Sequence, residues 1–162
     1  KHTVEHYLFL YKLLYGLEYS VLRYANVYGP RQDPHGEAGV VAIFAGRMLR
    51  GEPVTIFGDG KQERDFVFVG DCARANLLAL TGGDSGVFNI GTGRGSSVNE
   101  LCGEMTAITG YPLPPVIAPA RAGEIFRIFL DVSRARTGLN YEPQVGFTDG
   151  LRQTVEYFRH KA

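Results

Sequence analysis

The sequence predicts an α/β fold. Apolar residues at helical spacing alternate along the chain with short β-branched and aromatic runs, the pattern of strands interleaved with helices. Glycines stand where the helical stretches should stop, at Gly16, Gly51 and Gly110. No internal repeat, linker or low-complexity stretch interrupts the alternation.

The elements follow in order. Val4, Tyr7, Leu8, Tyr11 and Leu14 recur at helical spacing, which predicts a helix over 2–15. Residues 19–24 read as a buried strand, and 30–39 as a polar loop carrying Pro, Gly, Asp and His. A second helix is expected over 40–50 and a short strand over 54–57, ended by Gly58-Asp59-Gly60. Residues 66–69 form the next strand, with Asp71 expected to cap a helix that runs to Leu80. A strand at 87–90 precedes Ser97 and Glu100, spaced as a capping box for a helix over 98–109. The proline-rich 111–119 should be extended or irregular, and 126–130 a strand. Leu151, Val155 and Phe158 then place one face of a last helix on the core.

The 162 residues suit one domain with one core. Seventeen basic residues balance seventeen acidic ones, which argues against nucleic acid or an anionic membrane held by bulk charge. Cys72 and Cys102 belong to no CxxC, so a reduced, cytoplasmic setting is the simplest expectation. No apolar run is long enough to span a bilayer. The chain opens on Lys-His-Thr, already inside a helical pattern, and without Met; this suggests a fragment.

Four motifs invite chemistry. His2-Thr3-Val4-Glu5-His6 matches H-x-x-E-H, with two imidazoles one helical turn apart, but no third ligand is evident and ordinary surface helix residues account for it better. Gly91-Thr92-Gly93-Arg94-Gly95 lies between a strand and a helix, yet its third glycine falls one residue early for a dinucleotide loop, so a tight structural turn is the better reading. Arg64, opening a buried strand after a glycine turn, could aim a planar fork at a phosphate, or pair with Asp65 or Glu63 on the surface. In Arg121-Ala122-Gly123-Glu124 a fork and a carboxylate able to accept from sugar hydroxyls flank a permissive glycine; alone, it reads as a solvated loop.

Taken together, the blocks resemble one family. Leu22-Arg23-Tyr24-Ala25-Asn26-Val27-Tyr28-Gly29-Pro30-Arg31-Gln32-Asp33-Pro34 resembles the R-[YF]-x-N-x-[YF]-G segment of extended short-chain dehydrogenases, and its full form resembles the bacterial UDP-glucose 4-epimerases among them. The run Val54 to Gly60 with Arg64 to Val69, then Phe88 to Gly93, then Arg121 to Glu124 as R-x-G-[DE], then Leu139 to Phe158, resemble the later blocks in order. Lys1 stands where the lysine of the family's Y-x-x-x-K pair should be, its tyrosine lying four residues upstream.

The resemblance implies the C-terminal part of a Rossmann-like doubly wound fold plus the small nucleotide-sugar-binding subdomain. Residues 1–30 and parts of 60–95 would close the Rossmann half, and 31–58 with 96–162 would form mainly the substrate subdomain. The NAD-binding half would lie outside this chain. Lys1 should hydrogen-bond the nicotinamide ribose and favour the tyrosine's phenolate, and Tyr24 should line the nicotinamide end. Asn26 should contact the diphosphate, Val40 line the nucleotide pocket, and main-chain groups of Thr55 and Phe57 meet the uracil edge. Arg64 and Arg121 should clamp the pyrophosphate, with Glu124, where many members carry Asp, accepting from the uridine ribose.

The implied activity is NAD-dependent interconversion of UDP-glucose and UDP-galactose through a 4-keto sugar, by a homodimer of the full-length enzyme. A 4,6-dehydratase or decarboxylase of the same family, or a non-catalytic UDP-sugar-binding module, are the alternatives; the 162 residues alone are expected to be inactive and to expose apolar surface.

Overall fold

The computed structural model describes residues 1–34, 39–82 and 86–160. The polar loop expected over 30–39 therefore lies partly outside the described residues.

The first helix, α1, spans His2–Tyr15 and ends where Gly16, at φ 67°, donates its N–H to the Lys12 carbonyl. Strand β1 (Ser20–Tyr24) leads straight into β2 (Asn26–Tyr28), a short strand the sequence pattern did not separate. Helix α2 is Val40–Leu49, β3 is Thr55–Phe57, β4 is Glu63–Arg64 and β5 is Phe66–Phe68. Helix α3 is Val69–Thr81, β6 is Gly86–Ile90, β7 is Ser96–Ser97 and α4 is Val98–Thr109. The chain continues through β8 (Val116–Ala118), β9 (Arg127–Ile128), α5 (Ser133–Leu139) and α6 (Phe147–Arg159).

Parallel pairing dominates, as expected for an α/β chain with helical crossovers. Strand β1 runs parallel to β6, Ser20 opposite Gly86 and Tyr24 opposite Ile90. Strands β2 and β5 pair in parallel, as do β3 and β8. Strand β4 lies between β7, antiparallel, and β9, parallel. The architecture is mixed α/β, with mainly parallel strand pairs.

Strand periodicity divides the core in two. Phe66 and Phe68 enter a cluster with Tyr28, α2, α4 and α6, while Val67 between them enters a second cluster with Phe88, Ile90, Leu139 and Tyr141. Helix α1 joins neither, and none of its residues is buried.

Three expectations are corrected. Asp71 does not cap the following helix, which begins at Val69. The carboxylate instead sits buried inside the first turn, where it accepts from the backbone N–H groups of Gln144 at 3.0 Å and Val145 at 3.2 Å and pairs with Arg74. Only half of the capping box forms: Ser97 Oγ accepts from the Glu100 N–H at 3.0 Å, but the Glu100 carboxylate turns to Arg94. The strand expected over 126–130 shortens to Arg127–Ile128, because the Leu130 N–H is taken by the Asp65 carboxylate. The seven-residue α5, polar and glycine-containing, carries too little periodicity to be read in advance.

Candidate functional site

The site is built on two anchors. The first is the turn Gly58-Asp59-Gly60, whose two glycines both adopt φ 70°. It locks onto the start of α4, since Asn99 donates its backbone N–H to the Gly60 carbonyl at 3.0 Å and its Nδ2 to the Asp59 carbonyl at 2.9 Å. The turn thereby fixes the end of β3 and the side chains of Thr55 and Phe57. A side chain at Gly60 would drive into Asn99.

The second anchor is Asp65, which is 2% exposed. Its carboxylate accepts from Thr92 N at 2.9 Å, Thr92 Oγ1 at 2.6 Å, Gly93 N at 3.1 Å and Leu130 N at 3.3 Å. Its backbone carbonyl takes the Asn26 N–H at 2.8 Å, and its N–H donates to Ile128. One buried aspartate thus satisfies donors from three segments, two through its carboxylate and the third through its backbone carbonyl, and holds Arg64 and Asn26 on either side of one pocket. The Gly91–Gly93 stretch is accordingly a structural turn, closed on a carboxylate of its own chain. Sequence reasoning saw Asp65 only as a surface partner for Arg64; its burial depends on long-range packing that no local signal reports.

The pocket has a volume of about 420 Å³ and is lined by Asn26, Val40, Thr55, Phe57, Arg64, Arg121 and Glu124, together with Ile43, Phe44, Gln62, Phe66 and others. All seven residues expected to bind substrate converge on it. Val40 opens α2, whose N-cap position Gly39 also lines the cavity. Arg64 Nη2 reaches Glu124 Oε1 at 3.3 Å, and Arg64 Nη1 donates to the Glu63 carbonyl at 2.8 Å. The Arg121 guanidinium lies over the Phe57 ring at 3.9 Å from its centre. Gln62, which the sequence did not single out, is buried at the pocket wall and donates from Nε2 to the Phe57 carbonyl at 2.9 Å. Two guanidinium forks, an aromatic face and a carboxylate around one cavity can hold an anionic ligand with a flat ring and hydroxyls.

Lys1 lines an adjoining concavity that shares Asn26, Gly39, Val40 and Phe66 with the pocket. Ala25 also faces it, a position the sequence reading passed over. Tyr24 is placed elsewhere. Its Oη accepts from Asn76 Nδ2 at 2.7 Å, in a groove between β1 and α3 that neither Lys1 nor the arginines line. At the H-x-x-E-H stretch, Glu5 accepts from Arg23 Nε at 2.9 Å and Nη2 at 2.5 Å, an ion pair that ties α1 to β1.

An α/β chain of this topology, with paired arginines and a carboxylate facing a pocket beside an aromatic ring, matches a known class. The chain belongs to the NAD dependent epimerase/dehydratase family, whose model matches residues 1–91. Within the family it is 48% identical over 161 residues to the UDP-glucose 4-epimerase of Mycolicibacterium smegmatis, covering 98% of this chain and 51% of that protein. Over 99% of its length it superposes with TM-score 0.97 and 57% identity on 52% of the UDP-glucose 4-epimerase of Thermotoga maritima, solved with UDP-glucose. A dTDP-glucose 4,6-dehydratase of Streptomyces niveus is 36% identical, over 90% of this chain and 43% of that protein. The chain spans about half the length of these relatives.

Proposed function

We propose that these residues form the nucleotide-sugar-binding half of an NAD-dependent epimerase that interconverts UDP-glucose and UDP-galactose through a 4-keto sugar. The observation that carries this reading is the convergence of Asn26, Val40, Thr55, Phe57, Arg64, Arg121 and Glu124 on one cavity. Similarity to UDP-glucose 4-epimerases at 48% and 57% identity, against 36% for the dehydratase, favours epimerase over dehydratase chemistry.

The residues divide the work. Arg64 and Arg121 supply planar donors for the two phosphates, and Asn26 adds a neutral contact. Main-chain groups of Thr55 and Phe57 meet the uracil edge, Val40 packs on the nucleotide, and Glu124 accepts from a ribose hydroxyl. Holding the nucleotide firmly leaves the sugar as the part that turns, so remote binding energy retains a reactive ketone. NAD, held on this side by Lys1, would supply the hydride acceptor and donor that the reaction needs. The fit of this chain to NAD rests on Lys1, which is exposed, forms no ion pair among the described residues, and faces a concavity continuous with the pocket. Its ammonium can donate to a ribose hydroxyl and stabilise a neighbouring phenolate. Tyr24, engaged with Asn76, stands outside this assignment.

A second copy of the chain is the partner this reading assigns to α1, whose Tyr7, Tyr11 and Leu14 are exposed on one face.

The test is calorimetric titration of the chain with UDP and, separately, with UMP. Saturable UDP binding, tighter than that of UMP, supports the reading. A folded sample that binds neither contradicts it.

A further inference from the structure

Phe57 presents an aromatic face to the pocket, and that face is already covered. The Arg121 guanidinium carbon lies 3.9 Å from the ring centre, a stacking distance. Arg121 has no carboxylate partner among the described residues, so the ring is what holds its charge. The same turn places Glu124, whose N–H donates to the Arg121 carbonyl at 3.3 Å, and Glu124 in turn holds Arg64. Gly123 in this turn, at φ 76°, sets a backbone shape that an L side chain would strain. Four pocket residues therefore satisfy one another in two pairs: Arg121 on Phe57, and Arg64 on Glu124.

We propose that Arg121 closes the base-stacking face of Phe57 and that a diphosphate opens it, so that the pocket selects nucleoside diphosphates over nucleosides. This rests on the pocket being a nucleotide site. A planar base can stack on Phe57 only where the guanidinium does not. A nucleoside has nothing to offer Arg121 in exchange for the ring. A diphosphate offers oxygens that accept two parallel N–H bonds, a stronger interaction than a part-exposed cation on a ring. Arg121 then exchanges the ring for phosphate, and Arg64 exchanges Glu124 for phosphate. Glu124, released, becomes free for a sugar hydroxyl. Base and diphosphate sites are thus coupled through one side chain, and the coupling must be reciprocal.

The experiment separates the two halves of the ligand. Uridine is titrated into the chain with and without saturating inorganic pyrophosphate, following Phe57 ring resonances so that weak binding is read. Pyrophosphate should tighten uridine by about three- to tenfold, the size of a displaced cation–π contact. In Arg121→Ala, uridine alone should bind as tightly as it does to the parent chain with pyrophosphate, and the coupling should vanish. Uridine affinity that pyrophosphate leaves unchanged or weakens overturns the proposal, as does coupling that persists in Arg121→Ala. If pyrophosphate and UDP both fail to bind the parent chain, the nucleotide reading itself falls, an outcome distinct from UDP binding without coupling.

Discussion

Arg64 and Glu124 meet at 3.3 Å although sixty positions separate them in the chain. Their pairing joins β4 to the turn after β8, the two pieces of backbone that carry the arginines. The side chains are 18% and 30% exposed and the contact is long, so the pair is a weak tie that a better partner can replace.

The positions of Arg64 and Asn26 depend on Asp65. Asp65→Ala leaves Thr92, Gly93 and Leu130 N–H groups without their acceptor, which should cost about 3 kcal/mol of stability. A urea midpoint lowered accordingly is expected; an unchanged midpoint would show that water replaces the carboxylate at no cost.

Stability should also fall in alkali. Burial, reinforced by the Asp71 carboxylate, pushes the Cys72 thiol from an ordinary 9.0 up to about 12. The folded chain keeps this proton at a pH where the unfolded chain has lost it. The contribution is therefore complete below 9.0 and disappears as pH rises through about 12. The buried phenols of Tyr28 and Tyr141 are raised by the same cause and act with the same sign at higher pH. Urea midpoints should decline across this window, less steeply in Cys72→Ala; a flat profile contradicts the shift.

Helix α1 should drive self-association. Tyr7 and Leu14 are each 61% exposed and Tyr11 lies between them. Sedimentation velocity should find dimers or larger species, shifting to monomer in a Tyr7→Lys, Leu14→Lys double variant of unchanged helicity. A parent chain that sediments as a monomer would argue against α1 as an interface.

Much of this was legible in the sequence, for reasons particular residues make plain. Gly16 and Gly110 end helices because both adopt the left-handed conformation, a local property of glycine. Ser97 caps α4 for an equally local reason. The seven pocket residues were legible through resemblance; spacing alone left Arg64 open between a phosphate fork and a surface ion pair, and Arg121 in a solvated loop. What stayed hidden depends on distant segments. Asp71 looked like a cap because its partners, Gln144 and Val145, lie seventy-three and seventy-four positions away. Tyr24 was assigned toward the nicotinamide, yet the change of pairing at Ala25, whose N–H goes to Ile90 while that of Asn26 goes to Asp65, leaves Tyr24 on the α3 side.

The clamp is tested most directly by titrating UDP into the parent chain, Arg64→Ala and Arg121→Ala under identical salt. Each variant should weaken UDP by about ten- to a hundredfold, the loss of a charge-assisted hydrogen bond worth about 1.5–3 kcal/mol, while remaining folded. UDP binding that survives both substitutions undiminished would contradict the assignment of the two arginines to the diphosphate.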